Sequence, residues 1–275
     1  MKIAIFFNSY RGLNVLNHLI KKKNYIIDVY LSKKNLDSSI LKKIKKKYLV
    51  IKKLNLKIIS KIKKNKYDLL IVAGWPLIFP PELIKAAKYE TINLHAGRLP
   101  HYRGGSPLNW QIIEGNKDIY ISITKMTKKI DAGPIYITKK ILLNTKENIK
   151  HLHNKVNKIY PYMVENTIQR IIKKIKPKKQ KTKFERYLKQ RSDKDGKIKW
   201  SEMTDYQIFN LVRAITSPYP GAFYIYKGKK IRLHSCKISK LKTFIEPGKF
   251  LIRSKQKFVG CKKGCIQIIK ERADK

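Results

Sequence analysis

Hydrophobic and polar positions along the first 175 residues predict strands and helices in alternation. Apolar runs predict buried strands at residues 2–7, 25–31, 50–54, 68–73, 89–94, 120–126 and 134–142. Helical spacing and capping residues predict helices at residues 13–20, 36–49, 58–64, 81–88, 106–114 and 145–175. Strands that alternate with helices are typical of a doubly wound, mostly parallel sheet, so the predicted fold class is α/β.

The pattern changes in the last hundred residues. A basic segment interrupted by proline, residues 173–183, indicates a domain boundary. An amphipathic helix is expected at residues 204–215, with Ile208, Leu211, Val212 and Ile215 on one face. Short strands separated by glycines then predict a small β-barrel or sandwich at 222–226, 230–235, 249–253, 257–259 and 265–270. We therefore predict a first domain at 1–175, a linker at 176–200 and a β domain at 201–275.

The formal charge of +46 is carried mostly by lysine, because only ten of the 64 basic residues are arginine. Arginine makes the bidentate contacts with phosphate and guanine that lysine cannot make. The lysines are also spread over nearly every segment, which favours solvated faces over a dedicated nucleic-acid surface; both interpretations stay open. Either way, the charge favours acidic partners such as nucleotides and weak RNA binding at low salt.

The cysteines and the apolar runs indicate in which cellular compartment the protein is expected. The chain has three cysteines, no apolar stretch of membrane-spanning length and an N-terminus that reads as a strand, so we expect a cytoplasmic protein without membrane insertion. Cys261 and Cys265 have the spacing of half a metal site, but no second pair or nearby histidine completes it. No metal is therefore expected.

Residues 91–110 hold the strongest candidate chemistry. Asn93 and His95 lie two positions apart at the end of a predicted buried strand, and a loop rich in Gly, Pro and Arg follows. Histidine can transfer protons near neutral pH, and an asparagine amide can donate to a developing oxyanion. Asp131, in a tight turn, could reach the imidazole and orient it. The alternative is a structural histidine at a strand end.

A second candidate is the apolar loop at residues 74–81, GWPLIFPP, which follows a predicted central strand. Its prolines exclude a regular helix or strand through the loop. A hydrophobic loop at this edge of a sheet suits a flat organic ligand. Packing of Trp75 and Phe79 in the core explains the same pattern, and the two interpretations are equally supported by the residues alone.

These motifs together resemble the folate-dependent formyltransferase family. The residues that carry the resemblance are Asn93-Leu94-His95, Leu99-Pro100, Tyr102-Arg103-Gly104, Pro107 and Asp131-Ala132-Gly133. Further motifs, Asp195-Gly196, Trp200, Arg213-Ala214 and Pro218–Phe223, resemble the start of the OB-like C-terminal domain found in some members. The resemblance implies a Rossmann-like catalytic domain followed by an OB-like domain.

The resemblance also implies roles and a co-substrate. His95 would transfer protons, Asn93 would stabilise a tetrahedral oxyanion, and Asp131 would support His95. The donor would be 10-formyltetrahydrofolate, and no metal would take part. Two folate-binding segments are implied: Leu77, Ile78 and Phe79 in the first, and Thr127, Lys128, Lys129 and Ile130 in the second.

The resemblance implies the acceptor of the formyl group less directly than it implies the donor. The opening FFNSYRGLNVLNHL and the segment around Trp110 resemble the domain that formylates UDP-4-amino-4-deoxy-L-arabinose, so we expect an amino-sugar nucleotide, contacted by Arg98, Tyr102 and Arg103. Residues 32–39 lack the basic insertion typical of methionyl-tRNA formyltransferases. Formylation of initiator Met-tRNA remains the alternative, and a basic RNA-binding protein with an inactive transferase fold is a third. A homodimer through the C-terminal domain is a further expectation.

Overall fold

The computed structural model describes residues 1–274. Its strands are β1 (Lys2–Phe7), β2 (Ile26–Ser32), β3 (Tyr48–Ile51), β4 (Leu69–Ala73), β5 (Glu90–His95), β6 (Arg103–Gly104), β7 (Asp118–Lys125), β8 (Ile135–Leu142), β9 (Tyr187–Leu188), β10 (Ala222–Tyr226), β11 (Lys229–Ile238), β12 (Phe250–Arg253), β13 (Gln256–Gly260) and β14 (Cys265–Ala273). Its helices are α1 (Tyr10–Leu19), α2 (Ser38–Leu41), α3 (Leu56–Lys64), α4 (Pro81–Ile84), α5 (Pro107–Ile113), α6 (Ile149–Ile172) and α7 (Asp205–Ile215).

The central sheet has seven strands in the order β3-β2-β1-β4-β5-β7-β8. The pairs from β3 to β5 are parallel, whereas β7 runs antiparallel to β5 and places Thr124 opposite Asn93 and Ser122 opposite His95. In such sheets, the carboxyl ends of the parallel strands form the edge where ligands bind. The structure confirms the predicted α/β class with a mostly parallel sheet, and it places Asn93 and His95 at this edge.

The core of this sheet explains why its strands are continuous apolar runs. Strands β1 and β4 are fully buried apart from Lys2, because helices or loops cover both faces of a parallel sheet. One cluster joins Phe6, Tyr30, Leu70 and Val72 to Phe79 from the apolar loop after β4. The rings of Phe6 and Phe79 meet edge-on at 5.0 Å, which anchors that loop to the first strand.

The C-terminal part contains a five-stranded antiparallel sheet in the order β10-β11-β14-β13-β12. Helix α7 precedes it, and its N-terminus is closed by a capping box between Thr204 and Gln207. The four apolar residues expected on one face of this helix are all buried. The predicted α/β domain followed by a β domain is therefore confirmed as the fold class.

Two helices have bounds in the structure that differ from the predicted ones. Residues 36–49 form helix only at Ser38–Leu41, and Tyr48 already belongs to β3, so the long helix predicted there is wrong. Consecutive lysines at 42–47 repel one another along a helix and leave Ile44 as the one apolar residue among them. Helix α6 begins at Ile149 instead of residue 145, because the Asn148 side chain accepts from the amides of Lys150 and His151.

The chain forms two compact units that are not continuous in sequence. The first contains Met1–Gly104, Tyr120–Ile141 and Asn154–Tyr187, and the second contains Gly105–Ile119, Leu142–His153 and the described residues from 188 onward. The domain boundaries at 175 and 201 stay a prediction, as does the homodimer. Among residues 1–274, no helix combines the length and the apolar character needed to cross a membrane.

Candidate active site

Asn93 and His95 lie at the carboxyl end of β5. Side chains two positions apart on a strand point to the same face of the sheet, so the strand delivers both groups together. His95 is 5% exposed, and Asn93 is half-buried. Asp131 comes from the loop between β7 and β8, with a side chain that is only 8% exposed. The structure thus brings together the three residues that the sequence singled out.

Both ring nitrogens of His95 face hydrogen-bond acceptors. Nε2 lies 2.5 Å from the carbonyl oxygen of Tyr102, which can only accept, so this nitrogen carries a proton. Nδ1 lies 3.3 Å from Asp131 Oδ1. The two acceptors fix the orientation of the imidazole ring.

The Asp131 carboxylate is held by three partners. Asn93 Nδ2 donates to Oδ1 at 3.2 Å, the Gly104 amide donates to Oδ2 at 2.9 Å, and His95 faces Oδ1. Burial acts to raise the pKa of Asp131, but the charge and hydrogen bond of His95, together with the Gly104 and Asn93 hydrogen bonds, lower it below its ordinary value. The group is therefore a carboxylate at neutral pH.

Two glycines leave room for this arrangement. A Cβ at Gly97 would lie 2.6 Å from both His95 Nε2 and the Tyr102 carbonyl oxygen, so any side chain there would break their hydrogen bond. A Cβ at Gly133 would lie 1.8 Å from the Lys125 carbonyl oxygen. Asp131 itself has a φ of 50°, a left-handed conformation that aspartate tolerates better than most residues.

The predicted acceptor-binding residues lie in the loop after His95 and differ in exposure. Arg98 is exposed, with its guanidinium 5.0 Å from the centre of the Tyr120 ring. Tyr102 is 7% exposed, and its ring lies 5.1 Å from the Arg186 guanidinium. Arg103 is 1% exposed, and its guanidinium donors contact other parts of the protein. Contact of these three residues with an acceptor stays a prediction.

The first predicted folate-binding segment is split between the core and the surface. Phe79 belongs to the core cluster, Leu77 is half-buried and Ile78 is 79% exposed. In the same loop, the indole nitrogen of Trp75 is buried and has no hydrogen-bond partner within residues 1–274. Core packing therefore accounts for Phe79, but it does not account for the exposed Ile78 or for the buried Trp75 indole N–H, and folate binding by this loop stays a prediction.

The second predicted folate-binding segment borders a cavity. Thr127 folds its hydroxyl back to the Lys129 carbonyl oxygen at 2.9 Å, and Lys128 to Ile130 are exposed. The cavity has a volume of about 490 Å³, large enough for part of a flat organic ligand. Thr127 and Lys128 line it, whereas Lys129, Ile130 and the first segment do not.

Gln180 and Glu185, which no motif in the sequence singles out, contact the Asp131 turn and Arg103. Gln180 donates to the carbonyl oxygens of Asp131 and Gly133, and Glu185 pairs with Arg103 and Lys129. Both residues lie in the predicted linker at 176–200. No local pattern marks them, because their contacts reach 47 to 82 residues back along the chain.

The second compact unit contains a cavity of its own, of about 240 Å³. Ser106, Asn109, Arg191 and Tyr219 are among its lining residues. The Arg191 guanidinium lies 5.2 Å from the centre of the Trp110 ring and makes no ion pair in the described part of the chain. Ser106, at the start of the helix predicted at residues 106–114, has a φ of 51° and makes no capping hydrogen bond, and its hydroxyl accepts from the Arg191 amide.

The described residues 1–274 contain no group of three or more His, Cys, Asp or Glu that could hold a metal ion. Cys261 and Cys265 are both buried thiols. Burial is the main cause that raises the pKa of the Cys261 thiol to about 12. Such a thiol is a poor metal ligand and a poor nucleophile at neutral pH.

Comparison with known protein families gives two matches that together cover most of the chain. Residues 15–168 match the family described as "Formyl transferase". Residues 191–275 match the family described as "Formyl transferase, C-terminal domain".

Individual relatives fall into two groups. The chain is 34% identical to a bifunctional polymyxin resistance protein ArnA from Wigglesworthia glossinidia brevipalpis, over 98% of this chain and 42% of that protein. It is 31% identical to a methionyl-tRNA formyltransferase from Thermodesulfovibrio yellowstonii, over 77% of this chain and 67% of that protein. The chain thus spans less than half the length of the first relative.

A solved structure shares the fold. It is an N-formyltransferase from Helicobacter canadensis in complex with folinic acid and dTDP-3-aminofucose, with 16% identity and a TM-score of 0.75. The match covers 99% of this chain and 100% of that protein. At this level of identity, the similarity establishes the architecture and leaves the chemistry to be argued from the site.

Proposed function

Since the chain belongs to the formyl transferase family, we propose that it transfers the formyl group of 10-formyltetrahydrofolate to the primary amine of an amino-sugar nucleotide. The observation that carries the proposal is the hydrogen-bonded cluster of Asn93, His95 and Asp131 at the end of β5. Such a cluster suits direct attack of an amine on an acyl group, because it can balance the charge that develops and move a proton.

The folate donor would be held near the two segments that the resemblance points to. The unpartnered Trp75 indole N–H, the exposed Ile78 and the cavity beside Thr127 and Lys128 fit a flat ring system that carries hydrogen-bond acceptors. When bound, the folate supplies an activated formyl group. The residues of the chain would orient it, exclude water and place its carbonyl near Asn93.

Asn93 supports oxyanion stabilisation. Its amide nitrogen carries two hydrogens, and one of them is donated to Asp131 Oδ1. The other has no acceptor within the described residues. We assign it to the oxygen that gains negative charge as the amine attacks the formyl carbon. The first hydrogen bond fixes the orientation of the amide, so little reorganisation is needed during the reaction.

His95 and Asp131 support proton transfer. The Nε2 contact with Tyr102 is the shorter of the two ring contacts, and the Nδ1 contact with Asp131 is the longer. We therefore assign Nδ1 as the atom that exchanges a proton with the reacting amine, while Tyr102 keeps the ring in place. Asp131 stabilises the imidazolium that forms and remains ionised itself, because its pKa is low.

The choice of a nucleotide acceptor is supported by the cavity in the second unit. Arg191 lines this cavity and makes no ion pair in the described part of the chain, although Asp193 also lines it, and a guanidinium is suited to a phosphate. Tyr219 offers an aromatic surface, and Asn109 and Ser106 add polar groups. A cavity of this size fits part of a nucleotide, whereas a tRNA is bound by extended surfaces.

A second candidate is the formylation of initiator Met-tRNA. The methionyl-tRNA formyltransferases among the relatives and the net charge of +46 favour it. A positive field attracts the diphosphate of a sugar nucleotide as well as the backbone of a tRNA, so the charge does not decide between the two acceptors. A direct comparison of acceptors is needed.

The acceptor is tested by offering the purified protein 10-formyltetrahydrofolate together with UDP-4-amino-4-deoxy-L-arabinose, a panel of other UDP- and dTDP-linked amino sugars, or Met-tRNA. We expect formylation of at least one amino-sugar nucleotide, at a kcat/KM well above that for Met-tRNA. Formylation of Met-tRNA alone would replace the proposed acceptor. The absence of transfer to any acceptor would reject the proposed reaction.

The cavity assignment has its own control. Arg191→Met removes the guanidinium that lines the cavity, and we expect it to raise the KM for the sugar nucleotide about tenfold or more. Arg253→Met makes the same change at an exposed position of β12 and should leave that KM within about twofold. Equal effects of the two variants would mean that only net charge matters.

A further inference from the structure

The segment that follows helix α6, residues 178–187, is bound to the turn that carries Asp131. Gln180 Nε2 donates to the carbonyl oxygen of Asp131 at 2.8 Å and to that of Gly133 at 2.7 Å. One side-chain amide thus holds the turn on both sides of Ala132. Lys178 adds a pair of backbone hydrogen bonds with Ile135, where β8 begins.

Arg103 determines the orientation of the Gln180 amide. Its Nε and Nη2 lie 3.1 and 2.8 Å from Gln180 Oε1. A guanidinium can only donate, so the amide oxygen must face Arg103 and the NH₂ group must face the turn. The bidentate contact prevents the amide from rotating to present its oxygen to the two carbonyls.

The remaining contacts of Arg103 keep its guanidinium in place. Nη1 donates to the Glu185 carboxylate and, at 3.1 Å, to the Tyr187 hydroxyl. The side chain is 1% exposed, and the Glu185 carboxylate balances the buried positive charge. Donors on both sides of the guanidinium are therefore engaged by protein groups, which leaves little of it for a substrate.

The backbone next to Arg103 also makes a hydrogen bond with Asp131. The amide of Gly104 donates to Asp131 Oδ2. Arg103 and Gly104 together hold the carboxylate directly and the backbone of the turn through Gln180. Asp131 needs this support because its φ of 50° is unfavourable for a residue with a side chain and persists only where surrounding contacts fix it.

We propose that Gln180 and Arg103 are positioning residues that hold the Asp131 carboxylate within hydrogen-bonding distance of His95. The proposal rests on the proposed formyl transfer and deepens it. It assigns Arg103 a role inside the protein in place of the acceptor contact expected from the sequence. It also makes the segment 178–187 a part of the active site.

The first test is Gln180→Leu, which keeps the volume of the side chain and removes both donors. We expect kcat to fall about 10- to 100-fold, with the KM of both substrates within about threefold, because a misplaced catalytic group affects the rate more than binding. Gln169→Leu, at an exposed position of α6, is the matched control and should behave as the unaltered protein. Equal kcat values in the two variants would overturn the proposal.

A double-mutant cycle tests whether Gln180 acts through Asp131. In an Asp131→Asn background the carboxylate is already lost, so adding Gln180→Leu should reduce the residual rate by less than about threefold. A general loss of structure would instead reduce the rate by the same factor in both backgrounds. Additive losses would therefore reject a positioning role.

Arg103→Lys tests the other member of the pair. Lysine keeps the charge near Glu185 but lacks the fork that holds Gln180 Oε1, so kcat should fall while the acceptor KM stays within about threefold. A rise in the acceptor KM with an unchanged kcat would assign Arg103 to substrate binding and overturn this part of the proposal.

Amide hydrogen exchange tests the positioning without any activity. In Gln180→Leu, peptides that contain the Gly104 amide and residues 127–133 should exchange faster than in the unaltered protein and in Gln169→Leu. Unchanged exchange would overturn the proposal even if activity is lost. If the unaltered protein transfers no formyl group to any acceptor, the proposed function fails, and the exchange result still decides whether Gln180 holds the turn.

Discussion

At the residue scale, the candidate site is a set of contacts in which each group restricts the next. Asn93 and His95 both contact Asp131 Oδ1, while the Gly104 amide holds Oδ2. Tyr102 accepts from the far side of the imidazole, and Gly97 leaves the space in which that hydrogen bond forms. The geometry is thus fixed before a substrate arrives, as electrostatic catalysis requires.

Replacing Asn93 or His95 in this cluster should reduce formyl transfer strongly. We expect Asn93→Ala and His95→Ala each to lower kcat by about 10²-fold or more, since the first removes an oxyanion donor and the second removes the proton-transfer group. Steady-state rates with the best acceptor provide the measurement. His151→Ala, at an exposed position, is the matched control, and circular dichroism checks the fold. Near-normal turnover in both Asn93→Ala and His95→Ala would contradict the assignment.

The three residues of the cluster could be predicted because each leaves a local mark in the sequence. Asn93 and His95 follow the period of two on a buried strand, and Asp131 precedes a tight turn at Ala132-Gly133. That Asp131 could reach the imidazole of His95 is an expectation from the residues, whereas the roles of the three are implied by the resemblance. The contacts of Gln180 and Arg103 could not be predicted, because they join distant segments through side chains that carry no periodic signal.

At the scale of elements, the apolar runs were the most reliable guide. The bounds of β1 and β4 agree with the predicted strands to within one residue, because fully buried strands read as continuous hydrophobic segments. The bounds of β8 agree equally well, although most of its residues are not buried. The predicted helix at residues 36–49 failed because lysines give it no apolar face to bury. Residues 180–187 fall within the predicted linker at 176–200, because composition alone cannot reveal which polar side chains find partners.

An ion cluster in the C-terminal unit is expected to matter for stability in a pH-dependent manner. Arg232 is largely buried and pairs with Asp193 and Asp274, which ties the turn at residues 193–196 to β11 and the end of β14. Hydrogen bonding to Arg232 is the main cause that lowers the pKa of Asp193 to about 2. A lowered pKa stabilises the folded state above the ordinary pKa, and this contribution is lost as the pH falls towards 2.

Asp193→Asn should therefore lower the free energy of unfolding at pH 7 by about 1 kcal/mol, a value reduced for solvent screening because Asp193 is 40% exposed. The difference from the unaltered protein should narrow between pH 4 and pH 2, as measured by urea unfolding at each pH. Glu202→Gln, which breaks the exposed pair with Lys199, is the control and should cost less than about 0.5 kcal/mol. A difference that does not change with pH would exclude the ion cluster as its cause.

At the scale of the whole molecule, the net charge of +46 shapes how the protein meets any partner. Lysines on solvated faces produce a positive field that attracts anions without selecting among them. Under the proposed function, specific recognition then depends on particular groups, such as Arg191 in its cavity. The charge and the site are separate properties, and they respond differently to salt.

We expect that the protein binds RNA only through the positive electrostatic field of its lysines. The affinity for a generic single-stranded RNA should fall by about 10²-fold or more between 50 and 200 mM salt, since such binding depends on the release of counterions. Fluorescence anisotropy gives this affinity, and steady-state kinetics gives the KM of the amino-sugar nucleotide over the same range. That KM should change less than about tenfold. Tight RNA binding that resists salt would indicate a dedicated nucleic-acid surface.

The position of Gln180 along the chain has a consequence for biosynthesis. Gln180 follows Asp131 by 49 residues, and the 24-residue helix α6 lies between them. During translation, all three members of the cluster leave the ribosome before the amide that holds their turn has been made. A nascent chain that ends near residue 175 contains Asn93, His95 and Asp131 and still lacks the Gln180 hydrogen bonds to the Asp131 turn. If Gln180 positions Asp131 as proposed, competence for the reaction is acquired only after the predicted linker segment has emerged from the ribosome.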